Sequence, residues 1–149
     1  MARFRYKMQN ILDIKYKLET QAKTAFSVAT ANLRTEEEKL QELKDRRAFY
    51  EEEAQHLVSS RLEIPKINQC RQAIELMKDA IQNQTVSVHI AQRNVEAARA
   101  RLNEVMIERK THEKLKEKAF EEFKHELESE ENKAIDELVS YSYRDKATS

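Results

Sequence analysis

Apolar residues recur along the first part of the chain at intervals of three and four. The series runs Met8, Leu12, Lys15, Glu19, Ala22, Phe26, Ala29, Leu33, Glu36, Leu40, Leu43, Arg47, Tyr50, Ala54, Leu57, Arg61 and Ile64. Twelve of these 17 positions are apolar or aromatic, and the phase never slips. A lone amphipathic helix has a period of 3.6 and would drift out of such a series; a repeat held at 3.5 implies a helix supercoiled on another. A second series runs Ile67, Cys70, Ile74, Met77, Ile81, Gln84, Val88, Ala91, Val95, Ala98, Leu102, Val105, Arg109 and His112. Around Leu115–Phe123 the register is expected to shift to a sparser stripe of Phe120, Phe123, Leu127, Ala134, Leu138 and Tyr141. Residues from about 142 to 149 carry no apolar period and are expected to fray.

Between the two series stands the one strong helix breaker, Pro65, which pushes Ile64 towards extended geometry and suits the first turn of a new helix. Ser59 and Ser60 are the least helix-favouring pair upstream of it. These signals predict a helix over about 4–58, a turn over about 59–66 and a helix over about 67–141. A short turn makes long helices antiparallel neighbours. The expectation is therefore a single all-α domain, 1–149: an antiparallel coiled-coil hairpin whose second helix is longer. Its C-terminal overhang should run about two to four turns past the first helix, leaving Leu127, Ala134, Ile135, Leu138 and Tyr141 without an internal partner.

Charge orients the pair. The 27 basic and 27 acidic residues cancel, but not locally. Residues 1–35 carry seven positive and two negative charges, and residues 121–137 two positive and eight negative. Arg3, Arg5 and Lys7 should thus face the region of Glu121, Glu122, Glu126 and Glu128. Exposed pairs are worth only about 0–1 kcal/mol each, so the match speaks for orientation more than stability. Five polar seam residues, Lys15, Glu19, Glu36, Arg47 and Arg61, fit either control of register or a coiled coil of moderate stability that opens against partners.

Composition excludes most chemistry. The chain has no Gly, and phosphate-cradling loops, nucleophile elbows and calcium loops need one. Two Glu-x-x-His pairs, Glu53/His56 and Glu122/His125, invite a metal reading, but the hairpin puts them at opposite ends. His112-Glu113 has no second His where a zincin motif requires it, and His112 is expected at the core edge, paired with Glu19. Cys70 has no neighbouring His and reads as a small seam residue. A two-helix coil offers no pocket to perturb a carboxylate, so neither catalysis, metal nor cofactor is expected. Basic residues alternate with acidic ones, against a nucleic-acid interface. No apolar run approaches the ~18 residues of a membrane span, and the start MARFRYKMQN lacks the apolar core of a signal peptide. Phe4 and Tyr6 between cations suggest weak membrane-surface contact or, better, packing on the second helix.

Several segments together resemble the FliJ family of flagellar type III export. They are Arg3-Phe4-Arg5-Tyr6, Leu12, Lys15-x-Lys17-Leu18-Glu19 and Gln21-Ala22-Lys23, then Glu37-Glu38-Lys39-Leu40-x-x-Leu43 with Tyr50. Ile67-Asn68, Gln72-Ala73-Ile74, Met77 and Ala80-Ile81 complete the set, over roughly residues 1–140. The resemblance implies a non-enzymatic cytoplasmic coiled coil, peripheral to the inner face of the cell membrane at the flagellar base. It would enter the hexameric ring of the export ATPase, promote ring assembly, contact the cytoplasmic domain of the membrane export gate and serve export chaperones. It further implies a gate-facing patch of Lys39, Leu43, Arg46, Tyr50, Ala73, Met77, Ala80 and Gln84, of which Arg46, Ala73 and Gln84 depart from the aromatic or His residues of some members. The seam reading places Leu43, Tyr50, Met77 and Gln84 inside the coil instead. By analogy with a stalk, the ring-facing residues would be Phe4, Tyr6, Phe123, Leu127, Leu138 and Tyr141. The alternative is a generic coiled-coil scaffold or the stalk of another type III secretion system.

Overall fold

The computed structural model describes residues 3–60 and 63–148, with side chains to 146. Two helices, α1 (Gln9–Ser60) and α2 (Ile64–Thr148), make up nearly all of it. The chain is all-α, its two helices pack antiparallel, and the second is the longer. No described residue has positive φ, in keeping with a chain that has no glycine.

The boundaries differ from the sequence reading at three places, each for a local reason. Residues 3–6 are not helical, and α1 starts at Gln9 rather than near residue 4. In Arg3-Phe4-Arg5-Tyr6-Lys7 the aromatic residues are half-buried and the cations exposed. That alternation of period two belongs to an extended segment, not a helix. At the turn, α1 runs on to Ser60 because the Ser59 and Ser60 hydroxyls donate to the His56 carbonyl (3.1 and 2.8 Å) and close its last turn. The Glu63 carbonyl then accepts the N–H groups of Lys66 and Ile67, both at 3.1 Å, so α2 begins at Ile64 with Pro65 in its first turn, where a missing N–H is harmless. The Arg61 seam position and part of the expected turn lie outside the described residues. Finally, α2 continues through the stretch expected to fray, with Lys146 in its last turn beside the negative end of the helix dipole.

Contacts divide the chain into two units. The central unit, Gln21–Asn103, buries Ala22, Ile67, Val88, Ala91 and Val95. Nearly every seam position in it is less exposed than its neighbours. Two cross-helix contacts set its register. The Arg99 guanidinium lies 5.8 Å over the Phe26 ring, and the Gln84 amide donates to the Glu36 carbonyl at 3.0 Å and to its carboxylate. A polar pair thus satisfies itself across an apolar seam, which fixes alignment at some cost in stability.

The terminal unit combines residues 1–20 with 104–149. Leu12 and Val105, 2% and 1% exposed, are its core. Above them Glu19, itself buried, accepts from Arg109 at 2.6 and 3.3 Å, and Arg109 donates again to Glu113 at 2.9 Å. Lys15 pairs with Glu108 at 3.0 Å, and the Tyr16 hydroxyl donates to Glu113. The expected His112–Glu19 pair is not formed. Arg109, one turn before His112, takes Glu19 with two donors where an imidazole has one, and the buried Nδ1 of His112 finds no partner among the described residues. The expected register shift is also displaced. The 3-4 phase continues through Lys116, Ala119 and Phe123, while Leu115 and Phe120 flank it more exposed. Here α2 faces the extended segment instead of a helix, so apolar residues beside the seam find cover too.

Titration of this network carries a pH signature. The Tyr16 hydroxyl, and after it the Arg109 guanidinium, hold the Glu113 carboxyl below its ordinary value. The same bond, with desolvation and the Glu113 charge, raises Tyr16. A depressed carboxyl stabilises the fold above its unfolded value of about 4.3 and loses that contribution as pH falls through the folded value; a raised phenol contributes below about 10 and loses it as pH rises. Melting followed by circular dichroism should therefore show a plateau at neutral pH with falling limbs. Glu113→Gln should flatten the acid limb and Tyr16→Phe the alkaline one. In the same assay Arg109→Met alone should lower the melting temperature, because it takes both guanidinium donors away from the buried Glu19. Adding Glu19→Leu should restore most of the loss, since an apolar pair replaces a desolvated ionic one with little penalty.

Candidate functional site

The ring-facing residues inferred from the sequence fall in the terminal unit and separate into two kinds. Phe4 leaves the extended segment to meet the Phe120 ring edge-on at 5.1 Å and the Phe123 ring at 5.5 Å. The Lys124 ammonium covers the Phe120 face at 4.7 Å. Tyr6, Phe123 and Leu127 are half-buried like Phe4. Arg3, Arg5 and Lys7 share an open groove of about 640 Å³ with Glu122 and Glu126, yet no ion pair joins these groups among the described residues. The charge match therefore acts across solvent, and the rings hold the segment down. Packed in this way, Phe4 cannot also anchor the chain in a lipid surface.

Beyond Leu127 every described side chain to Lys146 is exposed. Leu138 and Tyr141 are 68% and 70% exposed, and Ile135, Val139 and Tyr143 more than half so. Projected on a helix these residues spread over rather more than half of the circumference, with Lys133, Glu137 and Arg144 opposite their centre. An apolar ridge of this length on a charged helix is unusual on a lone surface and suits a partner. Val139 and Tyr143 were missed in the sequence because the heptad stripe was followed through Ala134, Leu138 and Tyr141 alone. The parallel i, i+4 row of Ile135, Val139 and Tyr143 was the available signal.

In the central unit, the eight gate-facing residues implied by the resemblance do not form one exposed patch. Lys39 and Arg46 are exposed, with Lys39 3.7 Å from Glu36. Leu43, Tyr50, Met77 and Gln84 are half-buried in the seam; Ala73 and Ala80 are half-buried at its edge. Tyr50 lines a shallow cleft with Leu57, Gln69 and Cys70 and touches the Phe49 ring, at 5.7 Å between centroids. The large apolar groups that do face solvent nearby are Phe49 and Leu76, 59% and 66% exposed. Neither stood out in the sequence, because both lie off the seam.

Chemistry beyond recognition has little to build on. Glu53 and His56 line an open depression on α1 with Phe49, Glu52, Gln55 and Ser59. Glu122 and His125 belong to the other unit. Among the described residues, no three His, Cys, Asp or Glu side chains come together as metal ligands. Cys70 is half-buried and free, and no described helix is long and apolar enough to cross a membrane.

These features fit what comparison shows. The sequence model of the family described as Flagellar FliJ protein matches residues 4–148. Among solved structures, CT670 of Chlamydia trachomatis, a YscO homolog, has the same fold: TM-score 0.73 at 19% identity, over 95% of this chain and 96% of that one. No curated protein sequence matches the chain. Matched over almost its whole length, from the Phe4 that packs on α2 to the last turn of the apolar ridge, the chain belongs to the FliJ family.

Proposed function

We propose that this protein is a non-enzymatic component of flagellar protein export, a coiled-coil stalk that enters the ring of the export ATPase and promotes its assembly. The observation that carries the reading is the exposed apolar ridge of Leu138, Tyr141 and their neighbours on a chain of the FliJ family. In this reading the terminal unit enters the ring. Leu138 and Tyr141 make the contact, and Phe4, Tyr6, Phe123 and Leu127 brace the helix from which they project. The central unit meets the cytoplasmic domain of the membrane export gate through Lys39 and Arg46, with Leu43, Tyr50, Ala73, Met77, Ala80 and Gln84 shaping the coil beneath them. Export chaperones are further partners. The protein works in the cytoplasm, held at the inner face of the membrane through these contacts. A second reading, the same part in another type III secretion system or a generic scaffold, is favoured only by the fold shared with the Chlamydia YscO homolog.

Co-purification with the cognate export ATPase and the gate's cytoplasmic domain tests the reading, and retention of neither removes its main support. Deleting residues 127–149 should leave the rest helical by circular dichroism while stimulation of the ATPase drops. Unchanged stimulation would move the contact to the central unit. Reversing charge with Lys39→Glu and Arg46→Glu should weaken gate retention and leave ATPase retention as it was, measured in the same pull-down.

A further inference from the structure

The extended start and the apolar ridge meet one line on α2. Phe120, Leu127, Ala134 and Tyr141 recur every seven residues, with Phe123 and Leu138 beside them. On a helical projection all six fall within about 60°. The first part of the line is covered: the Phe4 ring meets Phe120 and Phe123 at 5.1 and 5.5 Å, and Leu127 is half-buried. The second part is open, with Leu138 and Tyr141 68% and 70% exposed. Both parts belong to the terminal unit. The cover is lightly held. Among the described residues no hydrogen bond or ion pair joins residues 3–7 to α2, and the Tyr6 carbonyl is tied to the Gln9 N–H of α1 at 3.2 Å. Arg3, Arg5 and Lys7 stay in solvent, and Phe120 keeps 38% of its surface exposed.

We infer that residues 3–7 are a releasable strap, an autoinhibitory contact that covers the first part of this line until a partner helix displaces it. Its release rests on the stalk reading, in which the ridge meets the ring of the export ATPase. Length decides the matter. Left open, the line offers Ala134, Leu138 and Tyr141, one heptad of about 11 Å. Helices pair through apolar repeats sustained over about three heptads or more. From Phe120 to Tyr141 the line has three, about 32 Å. A helix that packs along all of it must take the place of Phe4. Bracing and binding therefore succeed each other: the strap shields the rings in the free protein and gives way on docking. Charge narrows the partner. The strap sets one ring among three cations, beside a stretch, 121–137, with eight negative and two positive charges. A segment that replaces it meets Glu122 and Glu126, so it is an apolar stripe flanked by Lys or Arg. A contact that must open first also weakens apparent affinity. A strap docked about nine-tenths of the time raises the dissociation constant about tenfold over that of the open line.

Titration calorimetry of the full chain against the cognate export ATPase tests this. Phe4→Ala, with helicity unchanged by circular dichroism, should bind about tenfold tighter than wild type. Equal or weaker binding overturns the strap and leaves the stalk reading standing, whereas a wild type that does not bind removes both. On the Phe4→Ala background, Glu122→Gln with Glu126→Gln should weaken binding at least about threefold, and an unchanged constant overturns the basic partner. The chain has no Trp, so Phe4→Trp reports on the strap directly while keeping a ring in place, and it serves if Phe4→Ala perturbs folding. After subtraction of the ATPase's own emission, Phe4→Trp should emit to the blue in the free protein. In the complex it should move to the red and become more open to acrylamide quenching. Emission that stays blue at saturating ATPase overturns the release.

Discussion

Everything in this protein depends on keeping two apolar seams in phase. A helix that repeats its apolar residues every 3.5 positions can bury them only by winding on another that does the same. Because a single turn joins the seams, the partner is the chain's own second half, and the register follows from where that turn closes. The Glu63 carbonyl and the Ser59 and Ser60 hydroxyls settle this locally. The interior is only one residue deep on each helix, so few side chains are fully buried and burial alone discriminates weakly between neighbouring registers. Polar pairs supply the discrimination. Glu19 with Arg109 and Glu36 with Gln84 make their cross-helix bonds in one alignment and lose them in any other.

Each unit packs one helix against the other or against the extended start, and many of its large apolar groups lie on its sides. Side chains that a globular protein would hide stay exposed here for want of a third layer. Their arrangement, rather than their number, separates background from surface. Ile107 stands alone and needs no explanation, whereas the ridge from Ile135 to Tyr143 is ordered over successive turns. At the extended start a non-helical segment takes the place of a helix against α2. There Phe4 is inserted between rings on α2, and the cations around it are left in solvent.

The sequence made the two helices, their antiparallel order and almost every seam position legible, because each rests on a repeat long enough to average over exceptions. It failed where one residue decided the outcome. The period-two alternation in Arg3-Phe4-Arg5-Tyr6 spans too few residues to outweigh a helical expectation running on from Met8. His112 looked like the partner of Glu19 because both sit on the seam, and only the reach of the Arg109 fork shows otherwise. The gate-facing assignment came through the family resemblance alone. Positions copied from relatives carry no information about which way the coil is rotated in this chain, and here most of them turn inward. Phe49 and Leu76 lie off the seam, where no repeat in the sequence marks them.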